Sequence, residues 1–366
     1  LRLRNADGDG SRDAVAQRTS FSGSPCPLSP SLCRWEIAMT RWLVPMLVSC
    51  LLASAFASVL AGSVWLTPRE AFQALAFDHA DLAGQIVTQI RLPRVVLSMA
   101  IGGILGLSGA VMQGLLRNPL ADPGLLGVSA GASLGAVIAI YFGFAASFTL
   151  AAPLFGLTGA FVTTGIAFIL ARGGGTLSLI LAGAAVSSIA SAGVSLALNL
   201  SPNPYAAYEI MTWLMGSLAD RSWDHVRLAT PFILAGGTML LLTGRALDAL
   251  ALGEAQAESL GIAVSRTRML ALIGTALGVG GATAVSGTIG FVGLIAPHLV
   301  RPLVAHRPGK VLIPAMLVGA VLVTLADIAS RTLVFRGMPL NLGVFISLIG
   351  APFFLWLVLH VRRRTA

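Results

Sequence analysis

Charged side chains make up only 11% of this 366-residue chain, so the few that cluster mark where chemistry could occur. Arg91-Leu92-Pro93-Arg94 sets two guanidinium groups around a proline, and Arg331 follows Asp327 at four-residue spacing. Such groups recognise carboxylates or anchor a span at a membrane interface. For Arg331 the simpler alternative is an ion pair with Asp327 one helical turn earlier. A second group is Leu252-Gly253-Glu254-Ala255-Gln256-Ala257-Glu258-Ser259-Leu260-Gly261, where the spacing predicts a two-turn helix between glycines with Glu254 and Glu258 on one face. Composition leaves open whether it docks on a partner or is a solvated loop helix. His298, beside Pro297 and close to Arg301, suggests a haem ligand or a base, but a lone histidine at a span end is more often structural. The methionines are better read as packing residues than as ligands. No Ser/His/Asp set or metal cluster is evident, and Cys26, Cys33 and Cys50 imply neither a metal site nor a disulfide framework. A phosphate-cradling loop needs glycines followed by Lys and Ser or Thr, yet the single lysine, Lys310, precedes Val311. Charge recognition, rather than catalysis or nucleotide hydrolysis, is what these residue types allow.

The elements that position these groups must lie in a bilayer. At 56% hydrophobic residues and a mean hydropathy of +0.85, the chain has too little charge to cover a soluble globule. Its net charge of +9 sits in short loops between apolar runs, the pattern that orients membrane proteins, so nucleic acid is not an expected partner. The stretch Arg91 to Gly135 anticipates a membrane hairpin: an apolar span, a turn at Arg117-Asn118-Pro119-Leu120-Ala121-Asp122-Pro123-Gly124, then Gly127, Gly131 and Gly135 forming a bare stripe for close packing.

In chain order, residues 1–38 lack periodicity and are expected to be a disordered extension, with Met39 as a candidate start; residues 39–366 form one transmembrane domain. The run from Arg41 to about Leu66 is either a cleavable signal peptide ending near Ala55-Phe56-Ala57 or an uncleaved first span, and its length favours the span. Thr67 to Ile90 is expected to be a loop with a short amphipathic helix, and Ser201 to Arg227 an interfacial helix on the same side as Arg91. Spans four and five should occupy about 148–170 and 176–198, and a sixth about 228–243, before a polar loop over 245–268. Met269 to Val300 is too long for one span and too short for two, so a seventh span and a short eighth should meet near Gly287, Gly290 and Gly293. A ninth ending at Asp327 and Arg331 and a tenth over about 342–360 complete about ten spans. The arginine-rich loops and Arg362-Arg363-Arg364 place both termini in the cytoplasm.

These blocks are ordered as in a known family. Arg91-Leu92-Pro93-Arg94, Gly109-Ala110-Val111-Met112-Gln113, Asn118 to Gly127 and Leu179-Ile180-Leu181-Ala182-Gly183 resemble the permease subunits of ABC importers for cobalamin, haem and iron-siderophores, from the first span to the C-terminus. The resemblance implies an all-α integral membrane protein of the type II importer architecture in a bacterial inner membrane. It implies a homodimer that works with two ATPase subunits, which hold ATP and magnesium, and a periplasmic substrate-binding protein. This chain would then be no enzyme and carry no cofactor. By the same resemblance, Arg91, Arg94 and Arg331 meet acidic residues of the binding protein. Leu252, Gly253, Glu254, Ala257, Glu258, Leu260 and Gly261 form the helix that docks on the ATPase. Thr176 and Leu177 form a cytoplasmic gate; the residue-level alternative is an ordinary loop with Thr176 capping a helix. Trp213 to Trp223 is most similar to haem and iron-chelate members, which makes haem the first expectation for cargo, then siderophore, then cobalamin. The competing class is a stand-alone secondary transporter or exporter, which would need ionisable residues buried in mid-span.

Overall fold

The computed structural model describes residues 30–62, 65–76, 82–172, 174–335 and 338–365. Helix α1 (Pro30–Leu60) carries the first span, and the short α2 (Pro68–Ala76) and α3 (Leu82–Gln85) follow. A π-helical turn (Ile86–Arg91) leads without interruption into α4 (Leu92–Leu115). After the Pro-rich turn come α5 (Val128–Tyr141), α6 (Phe144–Ser147), α7 (Ala151–Leu170) and α8 (Thr176–Asn199). Helix α9 (Pro204–Leu214) precedes α10 (Trp223–Leu241), α11 (Gly244–Leu250) and α12 (Glu254–Ser259). The chain then forms α13 (Val264–Ser286), α14 (Val292–Val300) and α15 (Pro308–Thr332). A two-residue antiparallel pair, β1 (Val334–Phe335) with β2 (Met338–Pro339), leads to α16 (Leu342–Thr365). Among the described residues, seven helices are long and apolar enough to cross a membrane, α10 and α11 form an eighth unit bent by 42°, and the apolar stretches Val128–Tyr141 and Val292–Val304 are shorter. The expected ten apolar segments are therefore present.

Glycine decides how they pack. α4 is the central span, with 83% of its apolar window buried, and Gly102 and Gly106 abut the backbone of Gly319 and Ala315 on α15 so closely that a Cβ would strike it. Gly131 and Gly135 of α5 meet Gly159 and Phe155 of α7 in the same way, and Gly274 and Gly278 of α13 lie against Gly236 of α10. Without a hydrophobic drive between helices in lipid, such close backbone approach is a main source of association. The stripe anticipated from sequence is thus used inside one chain at Gly131 and Gly135. Gly127, in contrast, serves a turn: with φ +79° it caps the entry to α5, and its carbonyl accepts from Thr163 Oγ1 at 3.1 Å.

Several boundaries differ from expectation for physical reasons. Helix α1 starts at Pro30, so 30–38 are helical rather than part of the extension, and 1–29 lie outside the described residues. It ends at Leu60 instead of Leu66, because the chain turns at Gly62 and Leu66 N–H returns to the Leu60 carbonyl. The helix carrying Arg91 begins upstream at Leu82, since Val87 is fully buried against Val59, Ala71 and Ala74 and draws the segment into the fold. Asp78, His79 and Asp81 of the expected loop fall outside the described residues. The 245–268 stretch is mostly helical, because Leu247 and Leu250 of α11 are buried. The break between spans seven and eight is at Gly287, φ +70°, as anticipated.

Candidate functional site

Asp327 is wholly buried, and a buried carboxylate needs hydrogen-bonded cations around it. Arg94 supplies both Nε and Nη2, each 2.8 Å from Asp327 Oδ1, and Arg331 Nη2 lies 3.1 Å from Oδ2. The remaining donors turn to α1. Arg331 Nη1 reaches the Ala61 carbonyl at 3.0 Å and Nη2 reaches Ser58 Oγ at 2.7 Å, while Arg91 Nη1 donates to the carbonyls of Val59 and Leu60 at 2.7 and 3.0 Å. These carbonyls belong to the last turn of α1 or just beyond it, where helices lack acceptor partners and favour positive charge. The three arginines predicted as a docking set therefore come together, but as a clamp that ties α4 and α15 to the end of α1. Arg91 is only 6% exposed. The Arg331 pair with Asp327, weighed as the simpler alternative, is present.

The clamp lines a cavity of about 400 Å³ together with Ile86, Ile90, Ser217, Ser330 and Asn341. A second cavity of about 500 Å³ shares Ser217, Ala219 and Asn341 with it and adds Glu209, Asp220, Arg221 and His225. Arg221 donates to the Val285 carbonyl at 2.6 Å; burial pulls its pKa down, and Asp220 opposes the shift. This end of the molecule is a divided polar vestibule. The segment after α9 lies on the Arg91 side, as anticipated, since Ser217 and Arg91 face the same space.

The other polar element sits beyond the far end of α10. Gly253 and Gly261 take φ values of +115° and +79°, conformations that only glycine adopts readily, and they set the two ends of the six-residue α12. Ala257 anchors it, fully buried, while Leu252 and Leu260 project with 64% exposure each. Glu254 is not a free acid: Arg268 Nη2 holds its Oε1 at 2.7 Å and braces α12 against α13. Glu258 is exposed. Nearby, Asp248 Oδ1 accepts from Gly309 N–H at 2.8 Å, fastening α11 to the start of α15. Asp122, in the turn after α4, is half-buried and its pKa is pushed up by desolvation, partly offset by the Gly124 N–H it accepts. Arg301 Nη2 donates to Gln113 Oε1 at 2.6 Å, giving that arginine a structural partner at the end of α4, and His298 packs edge-on against Phe353.

Thr176 is the first residue of α8 and Gly175 holds the capping position. Leu177 is 69% exposed.

Sequence reasoning passed over the outward face of α8. Ala184, Ser188, Ser191, Ser195 and Asn199 are all exposed and recur every three or four residues, so they form one stripe. The periodic serines were visible, but hydroxyls in an apolar helix usually bond back to their own carbonyls, as Ser188 does to Ala184 at 2.9 Å. Only the packing of the other helices shows that the stripe faces away from the chain.

Residues 50–360 match the FecCD transport family model. The chain is 40% identical over 286 residues to YvrB, an uncharacterised ABC transporter permease of Bacillus subtilis, covering 76% of this chain and 80% of that one. It is 40% identical over 290 residues to the hemin transport permease HmuU of Yersinia pestis, covering 78% and 86%. The vitamin B12 import permease BtuC of Citrobacter koseri is 36% identical over 333 residues, covering 90% and 98%. Among solved structures, an inward-facing transporter assigned to the metal-chelate ABC type superposes with a TM-score of 0.77 at 33% identity, covering 87% of this chain and 98% of the other.

Proposed function

Because the chain belongs to the FecCD transport family, we propose that it is the membrane-spanning permease of a type II ABC importer whose cargo is haem first, then a ferric siderophore, then cobalamin. The α8 stripe carries the mechanistic part of the reading. Ser188 satisfies its donor on the Ala184 carbonyl, but a stripe of serines ending in Asn199 is more polar than a lipid-facing surface favours, so such a face is expected to border another helix or a water-filled path. The α8 and α16 windows are 33% and 28% buried within one chain, as the α1 window is at 28%, so low burial leaves room for a second copy and the polar stripe is what favours α8 as its contact, with the path between the copies. Haem is favoured by the similarity of Trp213 to Trp223 to haem and iron-chelate permeases and by the hemin-transporting relative.

In this reading the Arg91 end faces the periplasm and its binding protein, the arginine-rich end faces the cytoplasm, and α12 meets an ATPase that binds ATP and magnesium. The test is cross-linking in a background without native cysteines. Ser188→Cys is expected to bridge two copies in membranes, and Thr176→Cys to bridge only in some nucleotide states, with uptake blocked until reduction. Absence of any Ser188→Cys bridge, with the protein inserted, would overturn the shared path; absence at Thr176→Cys would remove the gate assignment.

Docking is open to a separate check. Charge reversal at Arg94 would set two carboxylates face to face, so Arg94→Gln is the cleaner substitution. Association with the binding protein should weaken by about threefold to tenfold at low ionic strength and converge with wild type at high salt, since partly exposed charges mainly steer encounter. Equal affinity at low salt would take Arg94 out of the docking surface.

A further inference from the structure

The second span begins with a turn that cannot satisfy its own backbone. A π-helical turn is one in which carbonyls accept from the amide five residues on, and in Ile86–Arg91 the Leu92 N–H reaches the Val87 carbonyl in this way. The next donor in that pattern, for Thr88, would be the amide of Pro93, which carries no hydrogen. The Thr88 carbonyl instead accepts the indole N–H of Trp223, the first residue of α10, at 2.8 Å. Its hydroxyl does not compete, because it donates to the Gly84 carbonyl at 2.8 Å.

We propose that Trp223 is a positioning residue whose indole stands in for the amide that Pro93 lacks, holding residues 86–91 in π register at the mouth of the Arg91 cavity. The register matters because it chooses which side chains face where. With it, Ile86 and Ile90 line the cavity and Val87 is fully buried against α1 and α2. Reversion to an α turn would rotate the upstream residues by about 100° relative to α4, one residue's worth of helix. Val87 would leave its pocket and Ile90 would turn inward. The same α10 continues through its 42° bend into α11 towards α12, so the indole joins the cavity wall to the helix that runs to the opposite end.

The experiment uses the full chain in membrane vesicles, with Cys26, Cys33 and Cys50 replaced by serine, and reads thiosulfonate labelling at Val87→Cys and, separately, Ile90→Cys. Trp223→Phe, which keeps a ring and removes the N–H, should raise the Val87→Cys rate and lower the Ile90→Cys rate, each by about tenfold, the scale set by one unpaired buried carbonyl. Adding Pro93→Ala restores an amide donor and should return both rates towards the starting values. Unchanged rates, or a rise at both positions that signals simple loosening, would overturn the proposal, as would failure of Pro93→Ala to reverse the change. Should Trp223→Phe fail to insert, recovery of insertion by Pro93→Ala supports the proposal and lack of recovery overturns it.

Discussion

Asp327→Ala is expected to destabilise the folded chain by about 3–5 kcal/mol, the range seen when one partner of a buried ion pair is removed. Asp327 is fully buried, and its arginine partners are nearly so, with side-chain exposures of 16% for Arg94 and 10% for Arg331. Without the carboxylate these two cations would face each other across a desolvated gap with no counter-charge, while Arg331 is still held by the carbonyls around the end of α1. Asp327→Asn keeps the shape and an acceptor and should lose less, about 1.5–3 kcal/mol, the worth of charge-assisted hydrogen bonds. Arg94→Met and Arg331→Met combined with Asp327→Leu remove all three charges together and should recover much of the loss, because a well-packed apolar cluster often replaces a buried ionic triad without penalty. Thermal aggregation of the detergent-solubilised protein, followed by size exclusion, reads all three. A melting point for Asp327→Ala within a degree of wild type would show that the clamp does not hold the fold together.

That clamp also marks how far the sequence could be followed. Local signals were sufficient where the chain itself enforces the conformation: the stop at Asn118-Pro119, the turn at Gly287 and the glycines around α12 all sit where expected, because proline and positive-φ glycine act through their own backbone. The existence of the spans followed from apolar length. What stayed hidden depends on residues far apart in the chain. Arg94 and Asp327 are separated by 233 positions, and nothing in either neighbourhood says that they pair. The π turn needs an indole 135 residues away to become tolerable, and nothing around Pro93 in the sequence points to Trp223. Glu254 and Glu258 looked equivalent on a helical wheel, yet Arg268 takes one and leaves the other exposed. Span ends shifted for a similar reason: tertiary burial of Val87 and Leu247 extended helices into stretches whose composition was polar.

Replacing Gly253 and Gly261 together by valine is expected to abolish ATP-driven uptake, at least about a hundredfold, while the protein still inserts. Both glycines lie at positive φ, where a β-branched side chain is strained by roughly 1–3 kcal/mol per site. At Gly253 a Cβ would also strike the side chain of Gln256, whereas at Gly261 the space is open, so backbone strain alone acts there. The strain has an easy outlet, because α12 is six residues long and held by the buried Ala257 and the Glu254–Arg268 pair at 2.7 Å. The segment should swing away from α13, carrying Leu252 and Leu260 out of position, while the spans stay packed. If those leucines and Glu258 form the contact with the ATPase, stimulation of ATP hydrolysis falls with uptake. Gly261→Asn is the internal control: asparagine tolerates the left-handed conformation, so it should retain most of the activity that Gly261→Val loses. Coupled uptake at the wild-type rate in the double valine variant would remove α12 from energy coupling, and equal loss in Gly261→Asn and Gly261→Val would show that the conformation at this position is not what matters.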